Sequence, residues 1–198
     1  MHIGPAFAEL PFWREVFWAS FAAWGLVEVS IWLRDRRSVM GQRSDRGSMI
    51  GIFVSIFAAI YGALHFARFA DARIAAPPQY LVLGGLILIW AGIVLRVWAV
   101  RTLGRYFRIT VTTQEDHKLI EAGPYRRMSN PAYSGGMLTL AGVGLAFGNW
   151  LSLASMVLFP LIGFVWRIKV EEASLAARFG DDFTRYRRAR WALIPPIW

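Results

Sequence analysis

Two polar stretches in the C-terminal half of this 198-residue chain hold the residue types best suited to chemistry. In the first, 101–131, Arg126 and Arg127 are able to place charge-assisted hydrogen bonds on a carboxylate. Gly123-Pro124 marks a turn, and Asn130-Pro131 marks a second one with the proline suited to a first helical position. Backbone N–H groups at such a helix start favour an anionic group. In the second stretch, 167–198, Glu171 and Glu172 directly follow an apolar run. Neighbouring side chains on a helix point about 100° apart, so the two acids cannot share one role. One is expected to pair with an Arg or Lys, leaving the other to accept hydrogen bonds from a ribose or an amine. Gly180 reads as a helix terminator, and Arg185, Arg187, Arg188 and Arg190 read as a surface facing lipid headgroups. Taken singly these features are weak, and a basic loop touching headgroups explains the first stretch without any chemistry.

The elements that must position these residues are set by composition. The chain is 56% hydrophobic and 18% charged, against about 45–50% and 25% in soluble domains. A single domain of this length could not hide so many apolar residues from water. Five apolar segments are expected, at about 12–33, 49–69, 80–100, 132–147 and 151–166. A span needs about 17–25 residues. The first three meet this; the last two are short and form a hairpin turning at Gly148-Asn149-Trp150, with Pro160 expected to kink the fifth. The Lys and Arg residues support the count. They are dense after the first segment (Arg34, Arg36, Arg37, Arg43, Arg46), sparse after the second (Arg68, Arg73), and dense again after the third (Arg101, Arg105, Arg108, Lys118, Arg126, Arg127). The hairpin turn has none, and the tail is rich in them. This alternation follows the positive-inside rule, with the N-terminus outside and the C-terminus cytoplasmic. A four-span reading would break it.

The ten Trp and fourteen Phe cluster at segment edges, as an aromatic belt would. The net charge of +9 lies between apolar runs, which favours a topology signal over a nucleic-acid footprint. With no Cys, disulfides, thiolate zinc sites and Cys nucleophiles are excluded, and no metal is expected. The N-terminus lacks the basic region and cleavage site of a signal peptide, so the first span is expected to remain in the mature protein. Small residues along the spans, including Gly84, Gly85, Gly92, Gly135, Gly136, Gly142 and Gly144, predict close helix packing. Four ionisable residues lie in or near the spans. Arg14 is placed to snorkel, His65 reads as interfacial, and Glu28 and Arg96 lie near the same side and are expected to pair.

In order, Leu103, Gly104, Phe107; His117, Leu119, Gly123, Pro124, Tyr125, Arg126; Asn130, Pro131, Tyr133, Gly135; Glu171, Glu172, Leu175, Phe179, Gly180, Tyr186; and Pro195 form a pattern over roughly the C-terminal half. It resembles the isoprenylcysteine carboxyl methyltransferase family and, more widely, related membrane phospholipid methyltransferases. The combination is specific although each element is weak. The resemblance implies an all-α fold: an integral membrane helical bundle of about five transmembrane helices with a cytoplasmic C-terminal cofactor-binding region. Residues 1–100 would supply three N-terminal helices with their loops, and 101–198 the methyltransferase core.

The implied activity is S-adenosylmethionine-dependent methylation of a lipophilic acceptor entering from the bilayer, foremost the carboxylate of an isoprenylcysteine-like thioether, with S-adenosylhomocysteine as product. Carried over by motif, His117, Leu119, Gly123, Tyr125, Asn130, Pro131, Tyr133 and Glu171 are the expected cofactor-binding residues, and Arg126, Glu171 and Glu172 the catalytic ones. Many members carry Arg-His-Pro where this chain has Ser129-Asn130-Pro131. Asn keeps hydrogen-bonding capacity without charge, and Arg126 or Arg127 is the expected substitute for the missing arginine. The alternatives are a phospholipid or amine N-methyltransferase, a membrane NADPH-dependent reductase and a non-catalytic membrane protein. Expected partners are lipids and a lipophilic or lipidated substrate, with no nucleic acid, in a bacterial plasma membrane.

Overall fold

The computed structural model describes residues 4–36, 47–107, 119–193 and 196, with the backbone alone at Asp35, Arg36 and Arg105. Six α-helices account for most of them: α1 (Pro11–Arg36), α2 (Ser48–Phe66), α3 (Pro78–Leu103), α4 (Pro131–Ala146), α5 (Trp150–Phe179) and α6 (Asp181–Arg188). Short 3-10 turns lie at Ala6–Glu9, Ala70–Ala72, Gly104–Tyr106 and Gly123–Arg126. Helices α1, α2, α3 and α5 are each long and apolar enough to cross a membrane. Their outward faces carry large apolar side chains such as Phe57, Leu64, Ile87, Val94 and Ile162. Exposing these to water would forfeit about 25 cal/mol per Å2; in hydrocarbon they cost nothing. The chain is an integral membrane protein.

Two of the five expected segments differ in length from the sequence reading. Helix α4 has 16 residues, about 24 Å at 1.5 Å per residue, which is short of a full crossing. Helix α5 is not short: it has 30 residues, about 45 Å, and continues unbroken through Pro160. The apolar run ends near Trp166, but the Arg- and Glu-bearing turns beyond it remain helical because they are partnered from other elements. Glu171 and Glu172 therefore project from the end of a helix rooted in the bundle.

The core is built on close backbone approach. A Cβ added at Gly92 would lie 2.5 Å from the Gly135 carbonyl, and one at Gly135 2.7 Å from the Gly92 carbonyl. Gly85 and Gly142 repeat the arrangement two turns away. Between helices in lipid, where apolar burial gives no drive, such contact brings dispersion and polar backbone groups into range. Helices α2 and α5 are joined by Ser152 Oγ, which donates to Ala63 O at 2.8 Å.

The turn between α4 and α5 closes one end of the bundle. Gly148 adopts φ +70°, where a side chain would strain and also strike Ala6. Asn149 then caps α5 by accepting from Leu151 N and Ser152 N at 2.9 and 3.1 Å. The same turn accepts backbone hydrogen bonds from Ala6 and Ile74. With this end pinned, the opposite end is where the helices diverge and the polar stretches meet.

Candidate functional site

At that divergent end lies a cavity of about 560 Å3, within the range of about 300–1,000 Å3 common for small-molecule sites. Its two ends differ in chemistry. Tyr125, Ser129, Asn130, Tyr133, Glu171, Glu172 and Tyr186 form the polar end. Trp24, Val29, Trp32, Ile52, Phe53 and Ile56, from α1 and α2, form the apolar end. Val29, Trp32 and Phe53 are also 52%, 42% and 54% exposed, so this end is open rather than enclosed. The cavity therefore opens sideways between α1 and α2, at the level of the spans.

A buried network holds the polar end. The Tyr133 hydroxyl donates to Glu171 Oε1 at 2.8 Å and accepts from Arg167 Nε at 3.2 Å. Arg167 Nε also meets Glu171 Oε1 at 2.9 Å, and its Nη1 donates to Ser48 Oγ at 2.9 Å. The Arg167 side chain is 0% exposed, so its charge is tolerable only because these groups surround it. Three elements, α2, α4 and α5, are locked by one guanidinium. At the adjacent residue, Arg187 Nε donates to Glu172 Oε1 at 2.6 Å. The expectation that only one of the adjacent acids would pair with a cation is thus corrected: both do, with cations on different sides, because 100° separates them.

The C-terminal stretch folds back to wall the cavity. Arg190 donates to Tyr125 O and Tyr186 O, both at 2.7 Å, pairs with Glu121 at 2.9 Å, and lies 4.0 Å over the Tyr186 ring. Trp191 N donates to Arg127 O, and Ser129 N donates to Trp191 O. Ser134 Oγ donates to Leu193 O at 2.5 Å. Arg187 and Arg190 are therefore internal fasteners, contrary to the headgroup-facing reading; only Arg185 and Arg188 of that set are exposed. Burial pushes the Tyr186 phenol up to about 12 and also raises that of Tyr125 well above its usual value, with Tyr186 nearby adding to the effect. Both remain neutral hydrogen-bonding and stacking surfaces.

The expected Glu28–Arg96 pair is present in the cavity wall. Arg96 Nη2 donates to Glu28 Oε2 at 2.7 Å and its Nη1 to Ala132 O at 3.1 Å, while Trp24 Nε1 donates to Glu28 Oε1 at 3.1 Å. This joins α1 and α3 to the first turn of α4.

Of the candidate site residues, Leu119, Tyr125, Asn130, Tyr133, Glu171 and Glu172 line the cavity. Pro131 is buried at the first position of α4, behind the lining. His117 and the Pro195 of the motif lie outside the described residues. Arg126 and Gly123 are not brought in: they line a separate groove on the outer surface with Arg127. The reason is local geometry. Gly123–Arg126 is a 3-10 turn, in which successive side chains diverge by about 120°, so burying Tyr125 turns Arg126 outward. Arg167 is the contributor that sequence reasoning missed. Its i, i+4 spacing to Glu171 was the available signal, masked because cations at span ends ordinarily mark topology. Arg96 and Arg187 were visible as charges but not as parts of the site.

Residues 80–182, just over half of the chain, match the model of the phospholipid methyltransferase family. The chain is 34% identical over 145 residues to the protein-S-isoprenylcysteine O-methyltransferase of Schizosaccharomyces pombe, covering 71% of this chain and 59% of that protein. It is 36% identical over 115 residues to a probable protein-S-isoprenylcysteine O-methyltransferase of Oryza sativa subsp. indica, covering 57% and 60%. The chain thus spans about three-fifths of the length of these relatives. The solved structure of the eukaryotic intramembrane Ras methyltransferase, isoprenylcysteine carboxyl methyltransferase, superposes with a TM-score of 0.55 at 25% identity, covering 76% of this chain and 51% of that one. With the family match running from α3 into α6 and taking in the cavity's polar end except Tyr186, the chain belongs to the phospholipid methyltransferase family.

Proposed function

We propose that the chain is an S-adenosylmethionine-dependent methyltransferase acting on a lipophilic acceptor, the carboxylate of an isoprenylcysteine-like thioether. The observation that carries this reading is the continuity of one cavity from a polar end to a mouth between α1 and α2 that faces lipid. A polar cofactor and a lipid-dissolved acceptor would meet there without either crossing the other's solvent.

The residues present fit the cofactor. The wall carboxylates Glu28, Glu171 and Glu172 are paired with Arg96, Arg167 and Arg187, so the polar end is charge-balanced and its attraction for a sulfonium comes from aromatic faces and carboxylate oxygens. Tyr125 and Tyr133 bring aromatic faces, each contributing about 0.5–2 kcal/mol toward a cation. Tyr133, Asn130, Glu171 and Glu172 would hold the polar parts of the cofactor, with Tyr106, Phe107 and Tyr186 around them. When bound, the cofactor supplies an electrophilic methyl group. The chain's own task is to orient and to exclude water. Holding two reactants in register is worth up to about 7–11 kcal/mol, and the network on Arg167 keeps Tyr133 and Glu171 from moving. A carboxylate acceptor is ionised at pH 7 and needs no base, so none is assigned. An amine acceptor would have to lose a proton first; Glu171 is the acid placed to receive it, and this is the second reading.

The catalytic half, 101–198, draws its acceptor wall from α1 to α3. The alternation of positive charge supports a C-terminus on the cytoplasmic side of a bacterial plasma membrane. The test is calorimetric titration of the purified protein with S-adenosylmethionine and with S-adenosylhomocysteine. Micromolar binding of both, weakened at least tenfold in Tyr133→Ala and Glu171→Ala, is the expected result. A folded protein that binds neither, or that binds a nicotinamide cofactor instead, overturns the proposal.

A further inference from the structure

The outer groove that took Arg126 away from the cavity has a composition of its own. Leu95 and Trp98 of α3 form one side, and Pro124, Arg126, Arg127 and Met128 the other. Both arginines are exposed, and neither makes an ion pair with a described residue. Trp98, 53% exposed, lies one turn before the end of α3, at the depth where tryptophan sits between hydrocarbon and headgroups. Below it on the same helix, Ile87, Trp90 and Val94 are also exposed. Positions 87, 90, 94 and 98 follow helical spacing and form one continuous apolar stripe ending at the two arginines.

From this we infer that the groove is a binding site for one anionic phospholipid. Its acyl chains lie along the α3 stripe and its phosphate is held by Arg126 and Arg127. A zwitterionic lipid would satisfy the stripe and offer a phosphate, but its own cationic group would oppose the two guanidinium groups, so the charge complementarity selects a headgroup of net negative charge. Arg guanidinium also matches phosphate oxygens in geometry as well as charge. The site is separate from the cavity, yet the backbone between them is shared. The segment carrying Arg126 and Arg127 outward carries Tyr125, Ser129 and Asn130 inward, and Arg127 O and Ser129 N are tied to Trp191. A lipid in the groove would therefore brace the wall of the cavity from outside.

The test is titration of detergent-purified protein with phosphatidylglycerol and with phosphatidylcholine of identical acyl chains, read as lipid adducts by native mass spectrometry. Two basic residues near an anionic headgroup are expected to give a preference of about 30-fold for phosphatidylglycerol. Arg126→Gln/Arg127→Gln should abolish the preference while leaving phosphatidylcholine adducts unchanged, and Trp98→Ala should weaken both lipids. Lys169→Gln/Arg188→Gln, which removes the same charge from exposed positions elsewhere, should keep the preference. Loss of the preference in that control to the same extent would mean diffuse surface charge and would overturn the site. So would displacement of the lipid by inorganic phosphate at matched ionic strength, which would mark a free-phosphate site. Retention of the preference in Arg126→Gln/Arg127→Gln would refute the assignment outright. None of these outcomes depends on methyltransferase activity.

Discussion

Replacing Arg167 by Met removes one charge while keeping most of the side-chain volume, and the structure sets what this should cost. The side chain is 0% exposed and meets Glu171 at 2.9 Å, Tyr133 at 3.2 Å and Ser48 at 2.9 Å. Without it, Glu171 keeps its charge at 22% exposure and loses its guanidinium partner, while the Tyr133 hydroxyl still donates to it. Breaking a buried pair from one side costs about 3–5 kcal/mol. For a chain of this size 1 kcal/mol corresponds to about 2–4 °C, so the unfolding midpoint should fall by about 6–20 °C. Neutralising the partner as well should reverse much of this, since removing both members of a buried pair is often close to neutral. Arg167→Met/Glu171→Gln is therefore expected to be more stable than Arg167→Met alone, although it should not regain cofactor binding. The assay is thermal unfolding in detergent followed by tryptophan fluorescence, closed as a double-mutant cycle. An Arg167→Met midpoint within about 2 °C of the wild type, or a double variant whose loss is the sum of the single ones, would refute the reasoning.

Three further outcomes follow from the same structure. Glu28→Arg and Arg96→Glu should each destabilise the bundle and the exchanged double variant should recover part of the loss; failure to recover would show that the pair is not coupled. Gly92→Ala should be poorly tolerated, because its Cβ would lie 2.5 Å from the Gly135 carbonyl, whereas Gly136→Ala, whose Cβ would meet only the Phe164 ring edge at 3.4 Å, should fold; equal expression and melting of the two would contradict the packing described. For Tyr186, burial raises the phenol to about 12 from a usual value near 10. Its neutral form is favoured in the fold, so this contribution is complete below about pH 10 and is lost as pH rises toward 12. Tyr186→Phe should flatten the fall in unfolding midpoint between those pH values, and an unchanged slope would count against it.

The sequence was most informative where one physical cause acted alone. Apolar length gave the helices of the spans, recurring glycines gave close helix packing, and the rule against lone intramembrane charges gave the Glu28–Arg96 pair. It failed where position along the chain does not fix direction. Whether Arg126 faces the cavity or the bilayer depends on the 3-10 turn that buries Tyr125, and nothing in the residue types sets that turn. The length of α5 was underestimated because hydropathy ends at Trp166, while the helix persists on partners that arrive from α2, α4 and α6. Arg187 and Arg190 were read as surface charge because their acceptors, Glu172, Tyr125 O and Glu121, come from stretches up to 69 positions away.

The central claim, that a polar donor and a lipid-borne carboxylate meet in one cavity, is tested most directly by following the label from methyl-labelled S-adenosylmethionine in protein reconstituted with an N-acylated S-prenylcysteine. The account predicts a base-labile methyl ester that forms with the wild-type protein and is lost in Tyr133→Phe/Glu171→Gln. Label appearing as a base-stable N-methyl group on membrane lipid, or no transfer by a protein that remains folded and binds the donor, would contradict it.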